Sequence, residues 1–307
     1  MPSHTTRLRQ LIDDPEILIT PGAYDGTGAR LVAATGFDAV YVGGFEGSAT
    51  LLAQPDVGYL TGAQTATRIA AIAEALPGMP IVADGDTGYG NPLNVRATVR
   101  AYERAGAAAI HIEDQTSPKR CGHMLGRDVI PAEDMVQKIA AAVEARDDPD
   151  FVVIARTDAR TEHGIDEAIA RGKAYAEAGA DVLFIESPET LEEMHTICDT
   201  FRGKVPLLSN QVEGGRTPMP GTAALQQLGY SIALFPVGTA FAAAKGARNY
   251  LEVLKRTGNT DQAREGMLGF EEFNKLIGLD EHTLREQRYQ TRPLTKSQPS
   301  RGGSLGV

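Results

Sequence analysis

Residues 80–114 read PIVADGDTGYGNPLNVRATVRAYERAGAAAIHIED, and this stretch indicates the fold. Apolar runs occupy 80–83 and 108–112, and between them the segment 94–105 carries apolar residues at every third or fourth position, as an amphipathic helix does. The glycine of ERAGAAA stands where this helix would end and the chain would turn back into a sheet. The stretch therefore predicts two parallel strands joined by a helix.

Short apolar runs and helical segments alternate in the same way along the rest of the chain. With the two runs above they make eight strand–helix units, which fit a closed (β/α)8 TIM barrel of the α/β class better than an open doubly wound sheet. The other runs are 17–21, 39–43, 151–155, 182–185, 206–208 and 232–235, and the other helical segments are 63–76, 132–145, 165–178 and 191–201.

Two more helical segments, 240–256 and 262–288, follow the eighth strand. The barrel does not need the second of them to close, so its apolar residues are expected to pack on a neighbouring subunit. We predict one domain over 1–290 that includes these C-terminal helices. The polar, glycine-rich residues 291–307 are predicted to be a flexible tail.

Composition and charge exclude several functional classes. The net charge is -10 and no block of Lys and Arg occurs, so a nucleic-acid partner is not expected. No apolar run is long enough for a membrane span, and the N-terminus lacks the charged-then-apolar pattern of a signal peptide. With only two cysteines, the sequence predicts a reduced, cytoplasmic protein without a membrane partner.

Polar side chains follow nearly every predicted strand, at the barrel end where active sites of this fold lie. Because a buried core does not tolerate so many unpaired carboxylates, we expect them to surround a cation or a ligand. The acidic residues offer oxygen ligands without an accompanying His or Cys, which favours Mg²⁺, or Mn²⁺, over zinc. An Asp-x-Asp pair alone could equally cap a helix or form a turn. The acidic strand-end residues are Asp84, Asp86, Glu113 and Glu186.

The run PKRCGH, residues 118–123, lies in a polar segment, 115–129, that is long enough to serve as a lid. Cationic neighbours prepare the thiol of Cys121 for proton donation or nucleophilic attack, although a lone loop cysteine is often inert. Arg156 follows the fifth strand. It is either a clamp for a substrate carboxylate or a structural partner of a neighbouring acid.

These motifs together resemble the isocitrate lyase/phosphoenolpyruvate mutase superfamily, in particular its 2-methylisocitrate lyase and 2,3-dimethylmalate lyase branches. PKRCGH is the most specific element, supported by ADGDTGYGN, HIEDQ, ARTDA, FIESP and SNQVEGGRTP. The resemblance spans nearly the whole chain. It implies a Mg²⁺-dependent carbon–carbon lyase that acts on a small 2-hydroxy di- or tricarboxylate. It also implies a homotetramer, a dimer of dimers in which subunits exchange the eighth helix.

The resemblance also implies roles for single residues. Cys121, flanked by Lys119 and Arg120, would protonate the departing carbanion from the lid, and Tyr41 would help to take the hydroxyl proton. The implied metal-site carboxylates are Asp84, Asp86, Asp56 and Glu113. The implied substrate-binding residues are Gly43, Gly44, Phe45, Gly122, His123, Arg156, Glu186, Asn210 and Pro236.

Two positions depart from the methylisocitrate lyase pattern. Gly43-Gly44-Phe45-Glu46 replaces Ser-Gly-Gly-Gly, and Ala240-Phe241-Ala242 stands where those lyases carry an Arg. Both changes favour a smaller, more alkylated malate over a tricarboxylate.

Three alternatives to a lyase remain. One is an oxaloacetate hydrolase or decarboxylase, although hydrolases tend to carry Ser where this chain has Pro236. Another is a phosphoenolpyruvate mutase, whose lid lacks the KRCGH run. The third is a non-catalytic binding protein, which would not need a cysteine above a metal site.

Overall fold

The computed structural model describes residues 2–122, 124 and 126–289. The chain divides into two compact units, Met1–Ala263 and Arg264–Val307. In the described part of the first unit, eight parallel strands form one sheet with the order β1-β8-β7-β6-β5-β4-β3-β2. The strands are β1 (Leu18–Pro21), β2 (Val40–Val42), β3 (Ile81–Asp84), β4 (Ala109–Glu113), β5 (Val152–Thr157), β6 (Val182–Ile185), β7 (Leu207–Asn210) and β8 (Ile232–Phe235).

Main-chain contacts join β1 to β2, the two ends of this strand order. The N–H of Ala23 donates to the carbonyl of Tyr41 at 2.8 Å, and Gly22 forms a parallel bridge with Tyr41. The sheet is thereby a nearly closed barrel. This confirms the predicted (β/α)8 TIM-barrel class.

Helices cover the outside of the barrel. Residues 80–114 form one strand–helix–strand unit of the barrel, as predicted. Asn91 caps its helix through the N–H groups of Leu93 and Asn94, and Gly106 ends it with a φ of 98°. The helices of the first unit are α1 (His4–Asp13), α2 (Gly26–Ala34), α3 (Gly44–Gly47), α4 (Gly62–Ala75), α5 (Pro92–Ala105), α6 (Ala132–Ala145), α7 (Arg160–Glu177), α8 (Leu191–Phe201), α9 (Thr222–Leu228) and α10 (Gly238–Thr257), with a π-helical turn at Ser48–Leu52.

Apolar side chains fill two layers of the barrel. One layer lies between the sheet and the helices, and the other fills the interior, where residues such as Val82, Ile154 and Phe184 are fully or almost fully buried. Alternate residues of each strand supply the two layers, as the period of two requires. This packing fixes the carboxyl ends of the strands relative to one another.

Two predicted helical segments differ in detail. The segment predicted at 165–178 belongs to α7, which starts at Arg160 and is interrupted at Gly164, whose φ of 84° is not helical. The segment predicted at 262–288 is broken into a 3₁₀ turn (Asp261–Gly266), α11 (Phe270–Leu276) and α12 (Leu279–Tyr289). Gly269 precedes α11 and Gly278 separates it from α12, and glycine is a weak helix former.

Several predictions about the whole protein stay predictions. The proposed tail at 291–307 lies outside the described residues. The single domain over 1–290, the exchange of a helix between subunits, the homotetramer and the cytoplasmic location are likewise untested. Among the described residues, no helix combines the length and the apolar character that crossing a membrane requires.

Candidate active site

A cavity of about 220 Å³ opens at the carboxyl ends of the strands. Most of the residues singled out from the sequence meet there, because every parallel strand delivers its last residue to the same end of the barrel. The predicted site residues that line it are Tyr41, Phe45, Asp56, Asp84, Lys119, Cys121, Gly122, Arg156, Glu186, Asn210 and Pro236.

Asp84, His111 and Glu113 form a buried group on β3 and β4. One potential ligand atom from each lies within 4.8 Å of the others. In the described part of the chain, neither carboxylate oxygen of Glu113 has a hydrogen-bond partner. Two buried carboxyl groups and an imidazole converging in this way fit a divalent cation. His111 thus accompanies the predicted carboxylates, in contrast to the all-oxygen donor set expected from the sequence.

The electrostatics of Asp84 and Glu113 are consistent with a cation between them. Burial disfavours the Asp84 carboxylate, but the fields of His111, Lys119 and Arg156 outweigh it and hold the pKa of Asp84 well below its usual range. Burial raises the pKa of Glu113, and Arg156 and Lys119 offset this only in part. Glu113 therefore lacks enough positive charge to favour its ionised form, which a cation would supply.

Lys119 of the lid lies between Asp56 and Asp86. Its ammonium nitrogen is 2.9 Å from each carboxylate oxygen of Asp56 and 2.6 Å from Oδ1 of Asp86. The structure thus brings Asp56 and Asp86 to the same rim as Asp84 and pairs them with a lysine. Their predicted role at a metal site stays a prediction.

Tyr41 and the two glycines that follow it surround Asp84. The Tyr41 hydroxyl lies 2.8 Å from Nε2 of His111, and burial, followed by the charge of Asp84, raises the pKa of Tyr41 well above its ordinary value. Tyr41 is therefore a phenol at neutral pH. The N–H of Gly44 donates to Oδ2 of Asp84 at 2.8 Å, and the carbonyl of Gly43 accepts from Nη1 of Arg68, also at 2.8 Å.

Arg156 joins the acids at the ends of β4, β5 and β6. It makes a two-pronged contact with Asp158, at 2.9 and 3.0 Å, and lies 3.2 Å from Glu113 and 3.4 Å from Glu186. Asn210 donates to Glu186 at 3.0 Å. Arg156 is therefore a structural partner of several acids, and it also lines the cavity, where it can meet an anionic ligand.

The lid lies against the cavity. The N–H of Cys121 donates to the carbonyl of Asp56 at 3.0 Å, and Ser187 donates to the carbonyl of Gly122, also at 3.0 Å. Cys121 is half-buried and lines the cavity. The main chain of Arg120 is fixed by two hydrogen bonds to the side chain of Gln115, and its side chain is not part of the lining. His123 lies outside the described residues.

Asp114 anchors the base of the lid. It lies directly after β4, is fully buried, and its main-chain carbonyl accepts from the N–H of Ile130 at the far end of the lid, at 2.8 Å. Its carboxylate accepts hydrogen bonds from Thr157, Asp158 and Tyr175 at 2.7 to 2.9 Å and lies 3.2 Å from Arg171.

We expect Asp114→Ala to destabilise the protein by about 3–5 kcal/mol, because it leaves the buried hydroxyls of Thr157 and Tyr175 without their acceptor and Arg171 with only the more exposed Glu167 as a carboxylate partner. Urea denaturation followed by circular dichroism would measure this. Asp128→Ala is the matched control: Asp128 lies in the same lid with 68% of its side chain exposed, and its loss should cost less than about 0.5 kcal/mol. Equal stability of the two variants would contradict the anchoring role.

Sequence reasoning missed part of the cavity wall. The sequence alone gives no role to His111, which β4 places beside Asp84 and Glu113, and Glu46 and Phe241 stand out in it only as departures from the methylisocitrate lyase pattern. Phe241 packs edge-on against Phe45, with ring centroids 5.9 Å apart, and both rings line the cavity. The positions of Glu46 and Phe241 did point to the cavity, because Glu46 follows shortly after the end of β2 and Phe241 shortly after the end of β8.

Comparison with known proteins identifies the class that this fold and site define. Residues 8–255 match the phosphoenolpyruvate phosphomutase family. The chain is 48% identical to 2,3-dimethylmalate lyase of Eubacterium barkeri over 93% of its own length and 98% of that protein. It is 40% identical to 2-methylisocitrate lyase of Aeropyrum pernix, over 91% and 89% of the two chains.

Solved structures agree. A crystal structure of 2,3-dimethylmalate lyase, a member of the PEP mutase/isocitrate lyase superfamily, superposes with a TM-score of 0.88 at 37% identity, covering 94% of this chain and 96% of that one. Oxaloacetate acetylhydrolase in complex with 3,3-difluorooxalacetate gives 0.89 at 33% identity, over 93% and 97%. The chain belongs to the PEP mutase/isocitrate lyase superfamily. Its relatives named as lyases identify it more narrowly as a carbon–carbon lyase.

Proposed function

We propose that this protein is a Mg²⁺-dependent lyase that cleaves the C2–C3 bond of a small, alkylated 2-hydroxy dicarboxylate of the 2,3-dimethylmalate type. The observation that carries the proposal is that Asp84 lines a cavity whose lid presents Cys121, and that the buried Glu113 lies beside Asp84. When bound, Mg²⁺ supplies positive charge beside the 2-hydroxyl and its neighbouring carboxylate and so stabilises the oxyanion that develops there.

We assign the metal-holding role to carboxylates. Nε2 of His111 is already hydrogen-bonded to Tyr41, so His111 is better placed to orient the Tyr41 hydroxyl than to bind an ion through that nitrogen. Asp84 and Glu113 would hold the cation, with Asp86 and Asp56 beside them. Oxygen donors suit Mg²⁺, or Mn²⁺, better than softer metals.

The protein's own groups account for the proton movements. Tyr41 takes the 2-hydroxyl proton as its own phenolic proton moves to Nε2 of His111, 2.8 Å away. His111 can accept that proton because it is neutral beforehand, its pKa being lowered to about 4 by burial. The C2–C3 bond then breaks: C2 becomes the carbonyl carbon of a 2-oxoacid, and C3 keeps the electron pair as a carbanion next to its carboxylate. Cys121 donates its thiol proton to C3, while Arg156 and Asn210 bind the carboxylates and the lid excludes water.

The shape of the cavity supports an alkylated substrate. Phe45 and Phe241 form an apolar wall, joined by Val212 and Pro236, and burying one methyl or methylene group against such a wall contributes about 0.8 kcal/mol. The aromatic Phe241 at this wall offers no charge to a third carboxylate. A dicarboxylate with alkyl groups therefore fits better than a tricarboxylate.

A substrate screen tests the proposal. With Mg²⁺ present, 2,3-dimethylmalate should be cleaved, with release of pyruvate, at least about tenfold faster by kcat/KM than 2-methylisocitrate, citramalate or isocitrate, the last of which would release glyoxylate. One methyl group in an apolar site is worth roughly tenfold or more. Release of 2-oxoacid is followed with a coupled dehydrogenase. Conversion of oxaloacetate to oxalate and acetate would instead indicate a hydrolase. No turnover of any of these acids would refute the lyase proposal.

A further inference from the structure

Glu46 is a cavity residue that the mechanism above does not use. It lies on the short helix α3, directly after β2, and its side chain is completely buried. In the described residues, neither oxygen of its carboxyl group has a hydrogen-bond partner. A buried polar group without a partner costs free energy in the unliganded protein, so its retention in the cavity wall points to a ligand that satisfies it.

The backbone is built around this carboxyl group. Gly22, after β1, and Gly43, after β2, enclose it, and a Cβ atom at Gly22 would lie 2.5 Å from Oε1 of Glu46. A Cβ atom at Gly43 would overlap Oε2. A side chain at Gly22 would also collide with the main-chain carbonyl of Pro236, and one at Gly43 with the ring of Tyr41, so glycine at these two positions leaves room for these groups as well as for the carboxyl group. Glu46 is therefore held at the junction of β1 and β2, next to Pro236 of the cavity wall.

The surroundings of Glu46 keep its carboxyl group neutral at pH 7. Burial is the largest influence and raises its pKa to about 8. The nearby main-chain N–H of Glu46 itself, which is not in hydrogen-bonding geometry, and Arg68 on α4 oppose this rise, although the Arg68 guanidinium donates to the carbonyl of Gly43. Asp84 on β3 and Asp56 in the loop after the π-helical turn add to the rise. The charge of an ionised Glu46 would in turn contribute to the raised pKa of Tyr41 on β2. A neutral carboxyl group has an O–H to donate and does not repel an anion.

We propose that Glu46 is a specificity-determining residue, whose neutral carboxyl group donates a hydrogen bond to a carboxylate oxygen of the substrate at the β1–β2 junction. The inference rests on the proposed function in one respect, that the ligand of this cavity is a 2-hydroxy dicarboxylate. Glu46 thereby supplies a hydrogen-bond donor to the part of the cavity wall next to Gly22, Gly43 and Pro236, in addition to the cations Lys119 and Arg156 elsewhere in the lining. The donor binds the substrate and takes no part in breaking the bond.

Two variants of similar length test the inference. Glu46→Gln keeps a neutral hydrogen-bond donor, and Glu46→Met removes it. With the Mg²⁺-loaded enzyme, KM for the best acid of the screen should stay within about threefold in the Gln variant and rise about tenfold or more in the Met variant, the loss expected for a hydrogen bond to a charged group. The kcat should change less than KM, since the contact is made in both ground and transition states.

The pH dependence adds a second readout. In the wild type, KM should rise as the pH passes the pKa of Glu46, because the ionised group no longer donates and repels the substrate. The Gln variant should show no such rise, although Tyr41, Arg68, Asp84 and Asp56 are unchanged in it. A strongly impaired Gln variant, or a Met variant with wild-type KM, would overturn the inference.

A binding measurement separates this inference from the proposed reaction. Calorimetric titration of the Mg²⁺-loaded protein with malate, the simplest 2-hydroxy dicarboxylate, should show about tenfold weaker binding in the Met variant and unchanged binding in the Gln variant. If the wild type binds malate in this way and cleaves none of the screened acids, the lyase proposal fails and the Glu46 inference stands. If the Met variant binds malate as tightly as the wild type, the inference is wrong.

Discussion

Replacement of Cys121 by serine is expected to lower kcat by about 10²–10⁴-fold, the range typical of losing a general acid. A serine hydroxyl is a much weaker acid than a thiol, so protonation of the carbanion would be slower. The substitution changes one atom on a half-buried lid residue, and the unfolding midpoint should not move. Release of 2-oxoacid under saturating Mg²⁺ and substrate measures the effect.

Cys198 provides the matched control for this experiment. It lies on α8 in the layer between helices and sheet, and burial raises the pKa of its thiol to about 11. Cys198→Ala should therefore retain wild-type kcat, with a loss of stability only. Near-normal turnover by the Cys121→Ser variant would refute the role of the thiol as proton donor.

Replacement of Asp84 by asparagine is expected to reduce turnover by at least about 10³-fold, because several kcal/mol of charge stabilisation is lost when the cation is no longer held. The single amide oxygen can replace one of the two acceptors of Asp84, which take the N–H groups of Gly44 and Asp86, so the unfolding midpoint of the variant should be measured beside its activity. Calorimetric titration with Mg²⁺ measures binding separately from turnover, and chelation of the wild-type enzyme should mimic the variant.

The control for the charge change is Asp199→Asn, at an exposed salt bridge with Arg202 on the outside of the barrel. It should bind Mg²⁺ and turn over substrate as the wild type does. An Asp84→Asn variant with unchanged Mg²⁺ affinity and unchanged kcat would show that the cation is held elsewhere or is not needed.

The barrel could be predicted because its evidence is local and repeated. Six of the eight apolar runs are followed by a predicted helical segment, and for the segments 132–145 and 191–201 the predicted and observed helix bounds coincide. The shorter helices α2 and α9, after the runs 17–21 and 206–208, were not predicted. Prediction was weaker where a single residue interrupts a pattern. Gly164, whose backbone is not helical, separates the short first stretch of α7 from the rest of the helix, so the helical pattern in the sequence becomes clear only from residue 165.

For the site, the sequence predicted only which residues lie together at the carboxyl end of the barrel. Strand ends must meet, so the convergence of Asp84, Glu113 and Arg156 followed from their positions alone. The ion-pair partners of the site residues could not be predicted in this way, because they depend on the path of the lid. Lys119 reaches Asp56 across 63 positions of sequence, a contact that no local pattern encodes.

The contact between Ala23 and Tyr41 carries a further consequence. The same residue whose carbonyl fastens the first strand to the second also places its phenol beside His111. A substitution that loosens this joint would shift a reactive group by the same movement. Barrel closure and the placement of a reactive hydroxyl thus depend on two different groups of one residue, and substitutions at Tyr41 should be tolerated less well than substitutions on the opposite side of the barrel.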